Sequence, residues 1–434
     1  MKKSLHIAAA GSFLALGMGL SANSMAAGFS IIEASASGMG QAFAGAAAVA
    51  EDPSTVYFNP AGMMYLEGSQ VTVGMHIIKS RAEFQDGGST DLSNLGPLST
   101  SRGGDGGDAG DTFYVPNFYY VRDFGDKYKI GIGINAPFGL GTEYDKGWMG
   151  RYTSTDSEVK SLNINPAIAF RANEKLSIGL GMNIQYLEAT LESDVYQAAL
   201  GSSDGSAKVK GDSWELGFNI GFIYEITKAT RIGVHYRSEV SHKLEGDVKY
   251  KGLHPLLAGS LINQDVTASL DTPATFSVSI THQLNNKLTL LGDITRTGWG
   301  SFEELKVVGD NGDIVSQVDE KWDDVYRYSL GMKYSYNSQW TFRTGVAHDK
   351  TPIADRHRTS RIPGDDRYWL SFGASYSPSS SLTIDAGYSH LWVEDADIDE
   401  EYSLLTPFTG QSGRLKGDFD SRVDIFSVQA TWKF

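Results

Sequence analysis

Several stretches of this chain alternate apolar with small or polar residues over about ten positions or more, and that alternation constrains the fold most tightly. In KLSIGLGMNIQY the even positions are Leu176, Ile178, Leu180, Met182, Ile184 and Tyr186, and the odd ones Ser177, Gly179, Gly181, Asn183 and Gln185. The same period runs through Trp214 to Ile226, Tyr326 to Tyr336 and Leu382 to Trp392. A period of two is a strand with one greasy face. Strands of a soluble sandwich alternate too, but typically last about 5 to 6 residues. A strand that crosses a bilayer needs about 9 to 11. The expected fold class is therefore all-β, a closed antiparallel transmembrane barrel.

The connections set its size. Turn signals at Gly125-Asp126, Asn173-Glu174, Thr227-Lys228, Asn285-Asn286, Asn337-Ser338 and Pro378-Ser379-Ser380 alternate with long polar connections at 85–111, 139–156, 193–212, 251–264, 309–319, 351–364 and 397–416. Six short turns and seven long loops join 14 strands, with both ends of the barrel on the short-turn, periplasmic side. The last strand, VDIFSVQATWKF, places Phe426, Val428, Ala430, Trp432 and Phe434 on one face. Such an aromatic ending resembles the signal read by the barrel-assembly machinery.

Residues 1–26 read as a signal peptide: Lys2 and Lys3, an apolar run, then Ser24-Met25-Ala26 before a mature start at Ala27. No later run is long and apolar enough for a transmembrane helix. Without the leader, 35 Lys+Arg face 52 Asp+Glu, a formal charge of −17 that repels nucleic acid. The chain has no cysteine and so needs no disulfide machinery. Its nine histidines are scattered and no Gly-x-Ser-x-Gly elbow occurs, so neither an enzyme nor a cofactor is expected.

Residues 27–67 lack the alternation and are rich in Gly and Ala, with turn signals at Asn59-Pro60-Ala61. A disordered tail would be more charged. A chain of small residues suits a compact plug, because 14 strands enclose a bore wider than side chains fill. The expected domains are a signal peptide (1–26), an N-terminal hatch (27–67) and the barrel (68–434).

The mature start AGF, the stretch SASGMGQAFAG, and Asn-Pro-Ala before an apolar first strand together resemble the hatch of the FadL-type long-chain fatty acid and hydrocarbon transporters of Gram-negative outer membranes. KLTLLGDITRTGW, WDDVYRYSLGMKY and IPGDDRYWLSFGASY are similar to the same family, across essentially the whole mature chain. The resemblance implies capture of a hydrophobic molecule in a groove between outer loops, transfer to a lumen pocket, and release past the hatch, sideways into the outer membrane. It places Phe29 against the ligand.

Particular residues fit those steps. Tyr196 and Leu200 in one outer loop, and Leu253, Leu256 and Leu257 in another, are apolar where polar residues are expected, and form either a capture groove or a lid. A carboxylate cargo needs a lumen cation, for which Arg237, Arg327 and Arg343 are the candidates; interior charges are also common simply because the bore is wet. Asp365, Asp366 and Arg367 read as a salt-bridge cluster supporting a gate. Pro137 and Gly139 mark either a lateral gap or an ordinary strand end. Asn59 and Pro60 fit a turn built without water, with or without ligand contact. The acidic run at Asp105, Asp108 and Asp111 has the ligands for a hard cation but not the spacing of a known calcium loop, so no metal is assigned. The expected partners are a long-chain fatty acid or another hydrophobic molecule, outer-membrane lipid and lipopolysaccharide, and the assembly machinery, for a monomer. Aromatic-hydrocarbon uptake and a general porin are the alternatives.

Overall fold

The computed structural model describes residues 28–90, 103–403 and 412–434; the expected signal peptide and Ala27 lie outside them. The wall is a closed ring of fourteen antiparallel strands. In chain order they are β1 (Gln70–Asp86), β2 (Thr112–Asp123), β3 (Tyr128–Asn135 and Gly139–Glu143), β4 (Asp156–Arg171), β5 (Leu176–Val195), β6 (Gly205–Thr227), β7 (Thr230–Arg237 and Val240–Lys251), β8 (Gln264–Thr272 and Thr275–Gln283), β9 (Leu288–Thr297 and Glu304–Gly309), β10 (Ile314–Asp319 and Val325–Ser335), β11 (Trp340–Asp349), β12 (Arg367–Ser379), β13 (Leu382–Val393 and Ala396–Ser403) and β14 (Ser412–Lys433). Each pairs with the next, and β1 closes on β14 in unbroken register from Gln70↔Lys433 to Asp86↔Gly417.

The alternation sorts the two faces as expected. Leu180, Met182, Leu216, Phe218, Leu330 and Met332 lie on the outer surface, where lipid covers them, while Ser177, Asn183, Gln185 and Asn219 are buried toward the bore. Three of the six short turns share one construction: the side chains of Asn173, Asn285 and Asn337 each accept the amides two and three residues on. That local bond makes a tight reversal without outside help.

The long connections are shorter than their polarity suggested. Of the expected loop at 193–212, only residues 196–204 lie outside the ladder, which runs from Leu176↔Tyr224 to Val195↔Gly205. The expected 309–319 loop is a hairpin turning at 310–313. β6 has 23 residues. At roughly 3.3 Å each it spans about 75 Å, well beyond a hydrocarbon core of about 30 Å even when tilted. Outside the lipid a paired strand needs no greasy face, so Lys208, Lys210 and Asp212 read as loop although they are strand.

Residues 28–66 form short helices α1 (Ala36–Met39), α2 (Ala46–Val49) and α3 (Thr55–Phe58) and a 3₁₀ turn, Pro60–Tyr65. They lie across the bore, touching opposite walls. A Cβ on Gly131, Gly179, Gly221, Gly233, Gly345, Gly373 or Gly387 would collide with Met63, Ala61, Asn59, Ala47, Gln41, Gly40 or Ala36 respectively. Inward glycines on seven strands thus let the wall come into close contact with this segment, five of them against its backbone and Gly131 and Gly221 against the side chains of Met63 and Asn59. Asn59 fastens it. Its Oδ1 accepts Ala61 N (3.1 Å), and its Nδ2 donates to Ala47 O (2.7 Å) and to Phe222 O of β6 (3.1 Å). Pro60 opens the 3₁₀ turn, where a missing amide costs nothing.

Candidate functional site

Three spaces follow one another down the bore. The outer one, about 700 Å³ counting its open side, is walled by Leu140, Val159, Leu244, Leu270, Leu305 and Val307, and Phe29 also lines it. Phe29 is buried in an aromatic cage, with ring centroids of Trp299 at 4.7 Å, Phe138 and Trp322 at 5.8 Å and Phe302 at 5.9 Å. Gly28 precedes it at φ +66°, where any Cβ would strike Trp322 and Trp299. Only glycine lets the chain reach the cage.

The cage adjoins a break in the wall. β3 is interrupted at 136–138, and its register on β4 slips from Asn135↔Asn163 to Gly139↔Lys160. On the other side its pairing with β2 ends at Phe118↔Ile134. The terminal stretch takes the freed backbone groups: Ile31 N donates to Pro137 O and Gly139 N to Phe29 O, both at 2.8 Å. Pro137 has no amide to offer a neighbouring strand. Phe29, Pro137 and Gly139, which the sequence treated separately, therefore meet.

The three candidate arginines face the bore as expected, but none of them lines the outer space. Arg237 lines the middle space, donating to Asn183 and to Tyr57 O (2.9 Å). Arg327 lines it too. Arg343 lies in the inner, periplasm-side space, paired with Glu51 (2.8 Å) and Asp385 (3.4 Å). The cations at the outer apolar space are Lys210, paired with Glu188 at 3.0 Å, and Arg361. Arg361 comes from the 350–366 connection and donates to Thr153 O (2.6 Å) and Ser157 Oγ (2.8 Å). Burial lowers its pKa, and Glu400 and Glu320 oppose that shift. Burial also pushes Glu320, another lining residue, up to about 7.

Asp365, Asp366 and Arg367 do not form one cluster. Asp365 pairs with Arg358 (2.7 Å), Asp366 accepts Thr351 N (2.7 Å), and Arg367 pairs with Asp349 (3.2 Å). Together they pin the connection that carries Arg361. Among the loop residues, Leu257 is buried in a cluster with Val195, Leu200, Leu253 and Leu261, so the two apolar loops pack on each other. Leu256 points outward, 60% exposed. Tyr196 turns away to stand edge-on to Tyr152 at 5.8 Å. Asp108 accepts Ala82 N (2.9 Å) and Asp111 accepts Thr112 N (2.6 Å), and no metal-binding group of three appears among the described residues.

Sequence reasoning missed Arg361 because charge in an outer loop is ordinarily solvated. It missed the aromatic cage because Trp299, Phe302 and Trp322 sit at strand breaks, where alternation gives no facing.

The geometry has counterparts. A family model described as outer membrane protein transport protein (OMPP1/FadL/TodX) matches residues 17–434. A long-chain fatty acid transport protein of Escherichia coli O6:H1 is 30% identical over 86% of this chain and 88% of its own. The crystal structure of a Pseudomonas aeruginosa FadL homologue, 26% identical, superposes with a TM-score of 0.86 over 94% of this chain and all of that one. The Pseudomonas putida toluene transporter TodX, at 18% identity and TM-score 0.65 over 88% and 94%, shares the fold.

Proposed function

Because this chain belongs to the OMPP1/FadL/TodX family of outer membrane transport proteins, a multi-pass barrel of the bacterial outer membrane that takes up hydrophobic molecules, we propose that its cargo is a long-chain fatty acid. The observation that carries this reading is the outer space itself: apolar walls for a chain, Phe29 at its inner end, and Arg361 at its polar end. An unpaired carboxylate in such a space would carry a large desolvation cost. The toluene transporters among the structural neighbours keep hydrocarbon cargo as the second reading, and the apolar lining alone would suit it.

The steps follow from position. Cargo is caught at the packed outer loops, enters the outer space, and leaves through the interruption between β2 and β3 once the Phe29–Ile31 stretch shifts. Residues 27–67 are the hatch. The barrel works as a monomer inserted through its Phe434 ending.

In a host lacking its own transporter, this chain should confer saturable uptake of labelled oleate; no uptake above the empty host refutes the acid reading. Leu257→Asp should cut initial uptake about tenfold at limiting substrate, because burying a leucine is worth roughly 1.5 to 3 kcal/mol. Leu256→Asp, on an already exposed side chain, should change little. Phe29→Ala should weaken oleate binding measured by tryptophan emission by about tenfold or more, since removing a buried Phe typically costs 3 to 5 kcal/mol, partly regained by repacking. Equal affinity in that variant removes Phe29 from the site.

A further inference from the structure

The outward face of β13, β14 and β1, where the ring closes, carries its side chains in layers. Tyr388, Phe426 and Ile77 stand at paired positions, one on each strand, with Tyr114 beside them on β2. The next outward-facing set is His390, Asp424 and Lys79, and the one after it Trp392, Arg422 and Arg81. All of these alternate with buried residues such as Ile78, Ser80, Val423 and Ile425, so they point away from the bore. Arg422 lies ten residues from Trp432 at the periplasmic end of β14. At roughly 3.3 Å each and a tilt of about 40°, those residues climb about 25 Å, the height of the apolar band of such barrels. The two arginines therefore sit at the outer edge of the membrane.

Arg81 and Arg422 face each other directly across the seam, and like charges so opposed destabilise a ladder. Arg81 is partly answered by Glu83 and, at 3.9 Å, by Asp108. Among the described residues, Arg422 and Lys79 make no ion pair. Asp424, opposite Lys79, spends its Oδ1 on Tyr388 (2.7 Å) and His390 (2.8 Å) instead. Elsewhere Lys160, Lys208 and Lys249 each rest on an acid at 2.6 Å. Three cations short of acceptors above an apolar, aromatic belt match a lipid-borne phosphate, with acyl chains on the belt and phosphate oxygens on the cations. The sets above are acidic, Asp420 opposite Glu83 and Asp418 opposite Asp397. They repel a free anion arriving from water, whereas a phosphate on a membrane lipid arrives from below them.

We propose that this seam docks the phosphorylated, multiply acylated glycolipid of the outer leaflet, lipopolysaccharide, whose phosphates take Arg422, Arg81 and Lys79 while its acyl chains lie on Phe426, Tyr388 and Ile77. The site is outside the bore and stands apart from the cargo reading. Its occupant bridges the strand pair that closes the ring, where the two arginines alone repel.

The purified barrel, freed of bound lipid, is titrated in magnesium-containing detergent solution with fluorescently labelled lipid A in its diphosphoryl and dephosphorylated forms. The diphosphoryl form should bind about tenfold tighter or more, the scale of a charged hydrogen bond. Lys79→Gln, Arg81→Gln and Arg422→Gln together should erase that preference, and Lys208→Gln should preserve it. Equal binding of the two forms, or a preference that survives the triple variant, overturns the site. Equal competition by phosphatidylglycerol marks a general anionic-lipid surface and displacement by inorganic phosphate a free-anion site, and either overturns the glycolipid assignment. Should the triple variant fail to fold, Arg422→Gln, which breaks no ion pair, carries the same comparison and should lower the preference severalfold.

Discussion

Replacing Arg361 by methionine is expected to weaken binding of a long-chain carboxylate by about 10- to 100-fold and to leave the matching alcohol nearly unaffected. Among the described residues no acid side chain engages Arg361 at hydrogen-bond distance; its donors go chiefly to Thr153 O and Ser157 Oγ. Its charge, felt by Glu400 and Glu320 without a direct bond, can be shared with a ligand carboxylate. The paired measurement separates lost charge from lost packing, because a loop loosened by the missing bonds would weaken acid and alcohol together. Glu320 adds a signed pH dependence. Its carboxyl titrates at about 7, so between pH 8 and pH 6 it gains a proton and loses the charge that repels an incoming carboxylate. Acid affinity should rise as pH falls across that window, and Glu320→Gln should flatten the trend. A discrimination that persists unchanged in Arg361→Met would move the head group to another cation.

Deleting residues 28–66 should convert the barrel into an open pore, raising single-channel conductance by about an order of magnitude or more, since 14 strands enclose a bore that wall side chains do not fill. The inward glycines make this loss uncompensated: with the segment gone, seven wall positions present no side chain to close the gap. A graded version needs no deletion. Gly221→Leu drives a side chain into the place of Asn59, removing its bonds to Ala47 and Phe222, and should give intermediate leakage to small hydrophilic solutes. Unchanged conductance after the deletion would show that the segment does not block the bore.

The wall was legible because lipid and bore impose a period of two on every strand they flank, so Leu180 against Gly181 already stated which way each faced. Strand ends were not legible. Above the membrane both faces meet water, and Lys208 or Asp212 in a ladder looks like the same residue in a loop. Gly179 was read as a small residue on the bore face, but the reason for it was not legible: it and the glycines at 233 and 345 are the imprint of a backbone lying against them, information held by two distant segments jointly. Among site residues, Phe29 stood out through its neighbours in sequence. Arg361 did not, because what distinguishes it from Arg358, which is buried too but paired with Asp355 and Asp365, is that it lines the apolar space, and no local pattern marks that. Arg343 shows the converse, an inward cation whose charge is consumed by Glu51 and Asp385.

The seam between β1 and β14 fixes an order of events. Ser69 and Phe434 exchange two backbone bonds, Ser69 N to Phe434 O at 3.1 Å and Phe434 N to Ser69 O at 2.9 Å, so the ring is completed only when β14 has been made. The segment that fills the bore is made before every strand of the wall, directly ahead of the strand that waits longest for its partner. Entry through a finished ring would mean threading Met39 and Phe43, both now buried, past a wall that meets the segment's backbone at its glycines. Packing must accompany closure, with β2 to β13 already gathered around the segment like staves around a bung. Closing so long a span costs little more entropy than closing half of it, since that cost grows only with the logarithm of length. What it costs is time, because pairings this far apart in sequence form slowly, and through that delay the segment is held by an unfinished wall.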